Sequence, residues 1–378
     1  MKKSLAYTYK LKLTSQQAVK AEEWMGTCRL IYNMALSICK ESRSKLGKNV
    51  YRQELQKQVT QLREAFQWIR DVQSQVLQSP LIRLENAFKK TTAGGGYPKY
   101  KKKGASFSFT FPQNVSFEKG RFFLPKFGWV KVHRDRWPEG KIRQATVRYE
   151  CGEWFLSVSF AKEIAPLLSN ENQVGIDMGV AHMYATSDGY LEDSLQIYRS
   201  YLARLRVEQR ALSRKVKYSS NWTKQKKRIA KIHRKIARKR ADFHQKKSMQ
   251  LIYKYGLLAI EDLKLRNLTH SAKGTLMEPG TQVKAKSGLN RSILDAGIGN
   301  FVRMLEYKAD WYGRKVVKVN PMYTSQQCRA CGSVNKQNRH KESFVCTSCG
   351  HKAHADVNAA KNILARAMAS VPKRKAVA

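Results

Sequence analysis

Acidic residues are what this chain has least of for its size. Its 378 residues include 28 Asp+Glu against 72 Lys+Arg, a formal net charge of +44. One-signed charge at that density repels itself and excludes most metabolic enzymes. The usual counter-charge is polyanionic nucleic acid. Long apolar runs are also missing. Nothing approaches the ~20 residues of a membrane span, so no membrane partner is expected. Lys2 and Lys3 give the start the look of a signal-peptide n-region, but Lys10 and Lys12 break the apolar segment that should follow. Cysteines number only seven, an odd count that argues against a disulfide framework and for a reducing, intracellular compartment. Core material is not scarce: 42% hydrophobic and 10% aromatic residues exclude a disordered basic tail. The length suggests two or three domains.

Four of the cysteines are clustered. Cys328, Cys331, Cys346 and Cys349 fall as C-x2-C-x14-C-x2-C, and a glycine follows each pair, Gly332 and Gly350. Glycine permits the tight knuckle, and two knuckles supply the four-sulfur tetrahedron that Zn2+ prefers. His351 and His354 raise an alternative set of three thiolates and one imidazole. With four thiols present they read as outer residues or as nucleic-acid contacts. A closed four-cysteine site has no open coordination position, so this zinc is structural and the chemistry lies elsewhere.

Periodicity divides the chain. Leu5, Tyr7, Tyr9, Leu11 and Leu13 alternate with polar residues, as in a half-buried strand. From Ser15 to about Lys90 the period is helical, with Leu55, Val59, Leu62 and Phe66 as one stripe and Leu77, Leu81, Leu84 and Phe88 as another. Gly94, Gly95 and Gly96 end this block. Alternation returns over 107–161, with turns at Glu118-Lys119-Gly120 and Pro138-Glu139-Gly140. Strand 5–13 is expected to join this later sheet, leaving the helices as an insertion. After a polar linker at 169–172, Val174–Val180 reads as a buried strand ending on glycine, and Leu257–Ile260 as a second. Segment 270–290 reads as a mobile loop, 292–312 as a helix, Val316–Val319 as a strand, and a last helix opens at Asp356.

Two basic stretches look like nucleic-acid contacts. Tyr97, Lys99, Tyr100, Lys101, Lys102 and Lys103 interleave aromatics with charge, suiting backbone contacts and stacking of unpaired bases. Residues 199–247 hold 19 Lys+Arg against only Glu208 and Asp242, on a helical pattern carried by Ile229, Ile232 and Ile236. That predicts two basic helices, with Lys227, Arg228, Arg234, Arg238 and Arg240 as candidate contacts.

Acids placed beside apolar strands stand out in such a chain. Asp177 lies inside Val174–Val180, Glu261 ends the second strand, and Asp356 starts a helix whose Ala359, Ala360, Ile363 and Leu364 suit packing on a sheet. A buried carboxylate without a partner is costly. If the three converge, hard divalent cations such as Mg2+ are what neutralises them, and two such ions suit phosphodiester hydrolysis. Asp356 equally suits an N-cap, and Asp262 could be the inward residue instead of Glu261.

These motifs resemble the TnpB proteins of insertion sequences. The likeness runs through Gly175-Ile176-Asp177-Met178-Gly179, Ile260-Glu261-Asp262-Leu263, the segments 286–293 and 323–328, and Ala355-Asp356-Val357-Asn358-Ala359-Ala360. It is looser through 26–33 and 97–101. The resemblance implies a multidomain chain: a wedge β-barrel from 1–13 and 97–165, a helical recognition lobe at 14–96, and a RuvC/RNase H-like nuclease domain at 170–378. A zinc ribbon at 323–352 would be inserted in that last domain. It implies an RNA-guided DNA endonuclease with Asp177, Glu261 and Asp356 as ligands of two catalytic Mg2+ and the four cysteines holding one Zn2+. The implied partners are a guide RNA from the transposon end, one protein chain per RNA, and double-stranded target DNA beside a short flanking motif. Pairing rather than protein would read the sequence. A cytoplasmic, nucleoid-associated prokaryotic protein is expected. Three alternatives share most of these features: a nuclease-inactive guided repressor, a small CRISPR effector, and a strand-joining transposase. The intact carboxylate set favours the endonuclease.

Overall fold

The computed structural model describes residues 2–103, 107–133 and 136–370. Residues 1, 104–106, 134–135 and 371–378, which fall within the expected wedge and nuclease segments, lie outside them. The chain divides into two compact units, 2–163 and 164 to the end.

In the first unit β1 (Lys2–Lys12) leads into α1 (Ser15–Leu46), α2 (Arg52–Ala65), α3 (Gln67–Arg70) and α4 (Ser74–Thr92). Six strands follow: β2 (Ser108–Phe111), β3 (Ser116–Glu118), β4 (Arg121–Leu124), β5 (Gly128–Val132), β6 (Ile142–Glu150) and β7 (Glu153–Glu163). The sheet order is β2-β6-β7-β1-β5-β4-β3, so β1 lies at its centre, antiparallel to both β7 and β5. Sequence order thus places the helices as an insertion between β1 and β2. They are not a separate body, however. Trp24 of α1 meets Phe109, Phe111 and Phe127 edge-on or tilted, with ring centroids 5.5–5.9 Å apart, and one apolar core runs through helices and sheet. Thr14 and Gln17 close a reciprocal capping box at the start of α1, and Gly47, at φ +63°, ends it. Of the first expected stripe, Leu55 and Val59 are buried, whereas Phe66 stands exposed at the end of α2.

The second unit opens with β8 (Gln173–Asp177), β9 (His182–Thr186) and β10 (Leu191–Asp193). The two basic helices follow, α5 (Ile197–Ser213) and α6 (Ser220–Lys254), closed on a small core of Ile197, Leu205, Ile232 and Ile236. Then come β11 (Leu257–Glu261), α7 (Leu265–Leu268), α8 (Val283–Ala296), α9 (Ile298–Tyr312) and β12 (Lys315–Val319). A small sheet of β13 (Arg339–His340), β14 (Ser343–Val345) and β15 (Lys352–His354) precedes α10 (Ala355–Ser370). The main sheet has order β10-β9-β8-β11-β12, parallel across β8, β11 and β12 and antiparallel across β10, β9 and β8. No helix among the described residues is long and apolar enough to cross a membrane.

Three expectations need correction here. The loop expected over 270–290 gives way to α8 from Val283 onward, whose Gly, Ser and Lys residues read as loop and whose only buried residue is Ala296. The single helix expected over 292–312 is two, because Gly297 sits at φ +66° and ends α8 before α9 begins. The strand expected to reach Val180 stops at Asp177, two residues before Gly179.

Candidate metal centre

β8 and β11 are neighbouring parallel strands with Ile176 opposite Ile260, so Asp177 and Glu261 leave the sheet side by side at the same end. The third carboxylate arrives on α10, which packs across β8. That contact is close enough to dictate sequence: a Cβ on Gly175 would lie 1.9 Å from the Ala360 carbonyl oxygen. Gly175 is thus required by close backbone approach, not by turn geometry. Ala359, Ala360 and Ile363 are buried on the same face.

The electrostatics are those of three carboxylates crowded together. Burial first, then the charges of Glu261 and Asp356, push the Asp177 carboxyl up to about 7. Arg339 opposes this, as does a backbone hydrogen bond from Met178. Burial also raises Glu261, against a hydrogen bond donated by the Thr324 hydroxyl and the charges of Arg366 and Arg339. Asp356 accepts from Arg339 Nη2 at 2.6 Å. Asp356 lies inside the first turn of α10, not ahead of it, so the N-cap reading gives way to the ion pair. Asp262 points elsewhere, to Lys264 at 2.6 Å, which lowers its pKa. Glu261 is therefore the inward residue of the two. A site whose carboxylate must otherwise hold a proton near neutrality suits hard divalent cations, so these donors fit Mg2+.

The four thiols also converge. All four Sγ atoms lie within 4.8 Å of one another, with Cys328–Cys349 at 3.8 Å and Cys331–Cys346 at 3.6 Å. Zinc–sulfur bonds of about 2.3 Å in a tetrahedron require sulfur–sulfur edges of about 3.8 Å, so the set fits Zn2+. Gly332 and Gly350 sit at φ +77° and +74°, and each donates its N–H at 3.0 Å to the carbonyl of the cysteine four residues earlier. Backbone N–H groups of Cys349 and Ser348 help hold the Cys346 thiol down at about 6. His354 does not complete this cluster; it faces His182, with ring centroids 5.8 Å apart.

Sequence reasoning missed the residues that join ribbon to helix. Asn358 and Asn362, buried one turn apart on α10, donate to the Gln327 carbonyl at 2.8 and 2.7 Å, and Asn358 accepts from Arg329 N–H at 3.1 Å. Two buried asparagines on an otherwise apolar helix face were the signal available. Arg339 and Thr324 had none, since neither is near its carboxylate in sequence.

The expected nucleic-acid contacts divide. Lys99, Lys102 and Lys103 are exposed, and Lys40 stands 4.4 Å over the exposed Tyr100 ring. Tyr97 packs edge-on against Phe88 at 5.5 Å. Lys101 is clamped by Asn33, which donates to its carbonyl at 3.0 Å and accepts from its N–H at 2.8 Å. On α6, Lys227, Arg228 and Arg238 are exposed and Arg234 is half-buried, whereas Arg240 is held by Asp295 at 2.6 Å.

Three family models match the chain: "Helix-turn-helix domain" over residues 1–48, "Probable transposase" (OrfB_IS605) over 155–272 and "Cas12f1-like, TNB domain" over 299–363. The first names a motif that the described residues of this range do not display, since 2–48 hold one strand and one uninterrupted helix. InsQ of Escherichia coli (strain K12), named provisionally as an RNA-guided DNA endonuclease, is 38% identical over 97% of this chain and 92% of its own. A Streptomyces pristinaespiralis protein named in the same way is 32% identical over 97% and 90%. Among solved structures, a Cas12f1–sgRNA–target DNA complex shares the fold at TM-score 0.57 and 16% identity, over 93% of this chain and 83% of that one. With identity of this order along nearly the whole length of both relatives, the chain belongs to the TnpB family of IS605-type insertion sequences, RNA-guided DNA endonucleases.

Proposed function

We propose that this protein cuts guide-matched double-stranded DNA by Mg2+-dependent phosphodiester hydrolysis at Asp177, Glu261 and Asp356. The observation that carries the reading is the meeting of three carboxylates from β8, β11 and α10 in a chain otherwise poor in acids. The order of the five-stranded sheet, with α10 laid across β8, supports a RuvC/RNase H-like domain. Divalent cations bound here would activate water and stabilise the leaving oxygen. Asp177, on which both other carboxylates act, would hold the ions together with Glu261 and Asp356. Thr324 keeps Glu261 oriented through its hydroxyl. Arg339 supplies counter-charge to Asp356 through its 2.6 Å ion pair.

The four thiols would hold a structural Zn2+, and the ribbon they tie carries Arg339 to the site. The sheet of the first unit serves as the wedge and its helices as the recognition lobe. Exposed lysines near Tyr100 and along α6 would hold the backbones of a transposon-derived guide RNA and its target, one chain per RNA, at the nucleoid.

The test is to purify the protein with its native locus, sequence the bound RNA and challenge the particle with plasmids carrying matched targets beside randomised flanks. Wild type with Mg2+ is expected to cut matched plasmids and Asp177→Ala to bind without cutting. Cutting by both would remove the carboxylates from the mechanism. Discrete RNA with no cutting by either would favour the repressor.

A further inference from the structure

A third group of metal-ligating side chains lies outside both the catalytic carboxylates and the four thiols. One ring nitrogen each of His182 and His354 and a carboxylate oxygen of Glu342 lie within 4.8 Å of one another. They come from three separate segments: the first residue of β9, the β13–β14 connection, and the last residue of β15. The backbone fixes two of them to one corner, since Ala355 N–H donates to the Glu342 carbonyl at 2.8 Å. The two rings meet at 65° with centroids 5.8 Å apart, too far and too steep to stack.

Two further details point to a ligand. His182 Nδ1 lies 2.9 Å from Asp193 Oδ1, the carboxylate–imidazole contact that sets the tautomer and orientation of a metal-bound histidine and leaves its other nitrogen to ligate. His354 Nδ1 is buried with no hydrogen-bond partner, an orphan acceptor or donor beside a carboxylate and a second imidazole.

We infer that His182, His354 and Glu342 form a second transition-metal site, taking Zn2+ or a similar borderline divalent ion and pinning the ribbon sheet to β9 of the main sheet. Two imidazoles and one carboxylate select such ions over Mg2+, which prefers all-oxygen shells. Three protein ligands leave a coordination position open, unlike the closed four-thiol site. His354 stands two residues before Asp356, so an ion here would also fix the segment that delivers that carboxylate. The site is independent of whether the carboxylates cut DNA, because its ligands belong to neither other set.

The test uses the full-length chain stripped of nucleic acid, titrated with Zn2+ alone and separately with Co2+, with Glu342→Gln and His182→Ala beside wild type. All are repeated in an Asp177→Ala background, which removes the carboxylate site as an alternative home for the ion. Two equivalents of Zn2+ are expected, and both substitutions should weaken the second at least tenfold while leaving the first intact. The second equivalent of Co2+ should add visible absorption without the intense near-ultraviolet thiolate bands of the first. Glu342 is exposed, so its substitution reports on binding even if His182→Ala unfolds. One equivalent only, a second equivalent unchanged in Glu342→Gln, or a second equivalent lost in Asp177→Ala alone would each overturn the assignment.

Discussion

Replacing Asp177 by asparagine should slow cutting by orders of magnitude and, in the absence of Mg2+, make the protein more stable. The folded carboxyl is pushed from 3.8 up to about 7, first by burial and then by Glu261 and Asp356. The sign follows from proton counting. Below about pH 4 both folded and unfolded states hold the proton, and the site costs nothing. As pH rises the unfolded chain releases its proton first, so stability falls until the folded group also ionises near 7, and the penalty is constant above that. About three pKa units at ~1.4 kcal/mol each set an upper figure of about 4 kcal/mol, and partial solvent contact of Asp177 brings the range to roughly 2–4 kcal/mol. The asparagine side chain would keep the shape and still accept from Met178 while carrying no charge. For a unit of this size that is roughly 5–15 °C in Tm at pH 8. The assay is thermal unfolding followed by circular dichroism from pH 5 to 8, with zinc retained and Mg2+ removed by gel filtration without chelator. The gap between variant and wild type should widen from pH 5 to 7 and then level off. Added Mg2+ should raise wild type and leave the variant unmoved. Cutting should drop by roughly 10²- to 10⁴-fold, the loss of several kcal/mol of transition-state stabilisation. An asparagine variant no more stable than wild type at pH 8, or a gap that does not change with pH, would refute the crowded-carboxylate account.

The parts of this site that were legible in sequence are those set by local rules. An apolar run ending on a carboxylate marks β8 and β11, and paired C-x2-C-G knuckles mark the ribbon, because each depends on neighbours within a few residues. Which of Glu261 and Asp262 faces inward was not legible, since adjacent strand residues point to opposite faces and only the packing of α10 chooses between them. The Asn33 clamp on Lys101 joins residues 68 apart in sequence, and the Arg339–Asp356 pair needs the whole β13–β15 sheet between them. Helix α8 was hidden by composition: Lys284, Lys286, Ser287 and Gly288 give its first turns the look of a loop, and Ala296 is its only buried residue. His354 was read against the nearest thiols in sequence, yet its neighbours His182 and Glu342 are gathered by strand pairing that no spacing encodes.

Cys346→Ser should release zinc and unravel the ribbon, seen as new proteolytic sites within 328–349, while residues 2–163, with their own core, keep their protection. Thr324→Val removes the hydroxyl donor that lowers Glu261, so its proton affinity rises and half-maximal cutting should need several-fold more Mg2+ at pH 7. Arg240→Ala strips Asp295 of its 2.6 Å partner and should cost about 1–3 kcal/mol of stability, with little change in the salt dependence of nucleic-acid binding. A reduced salt slope instead would return Arg240 to the nucleic-acid face. Gly175→Ala is the sharpest test of how the site is assembled. The added methyl would meet the Ala360 carbonyl at 1.9 Å, Leu364 N at 2.8 Å and Leu364 Cβ at 2.9 Å, and two of these are backbone atoms that no rotamer change can clear. α10 must therefore lift from β8, and Asp356 goes with it. Expected are a loss of about 3 kcal/mol or more and cutting near the level of Asp177→Ala, with bound RNA retained through the basic helices. An alanine variant that melts and cuts like wild type would mean that α10 is not seated on β8, and that the third carboxylate reaches the other two by some other route.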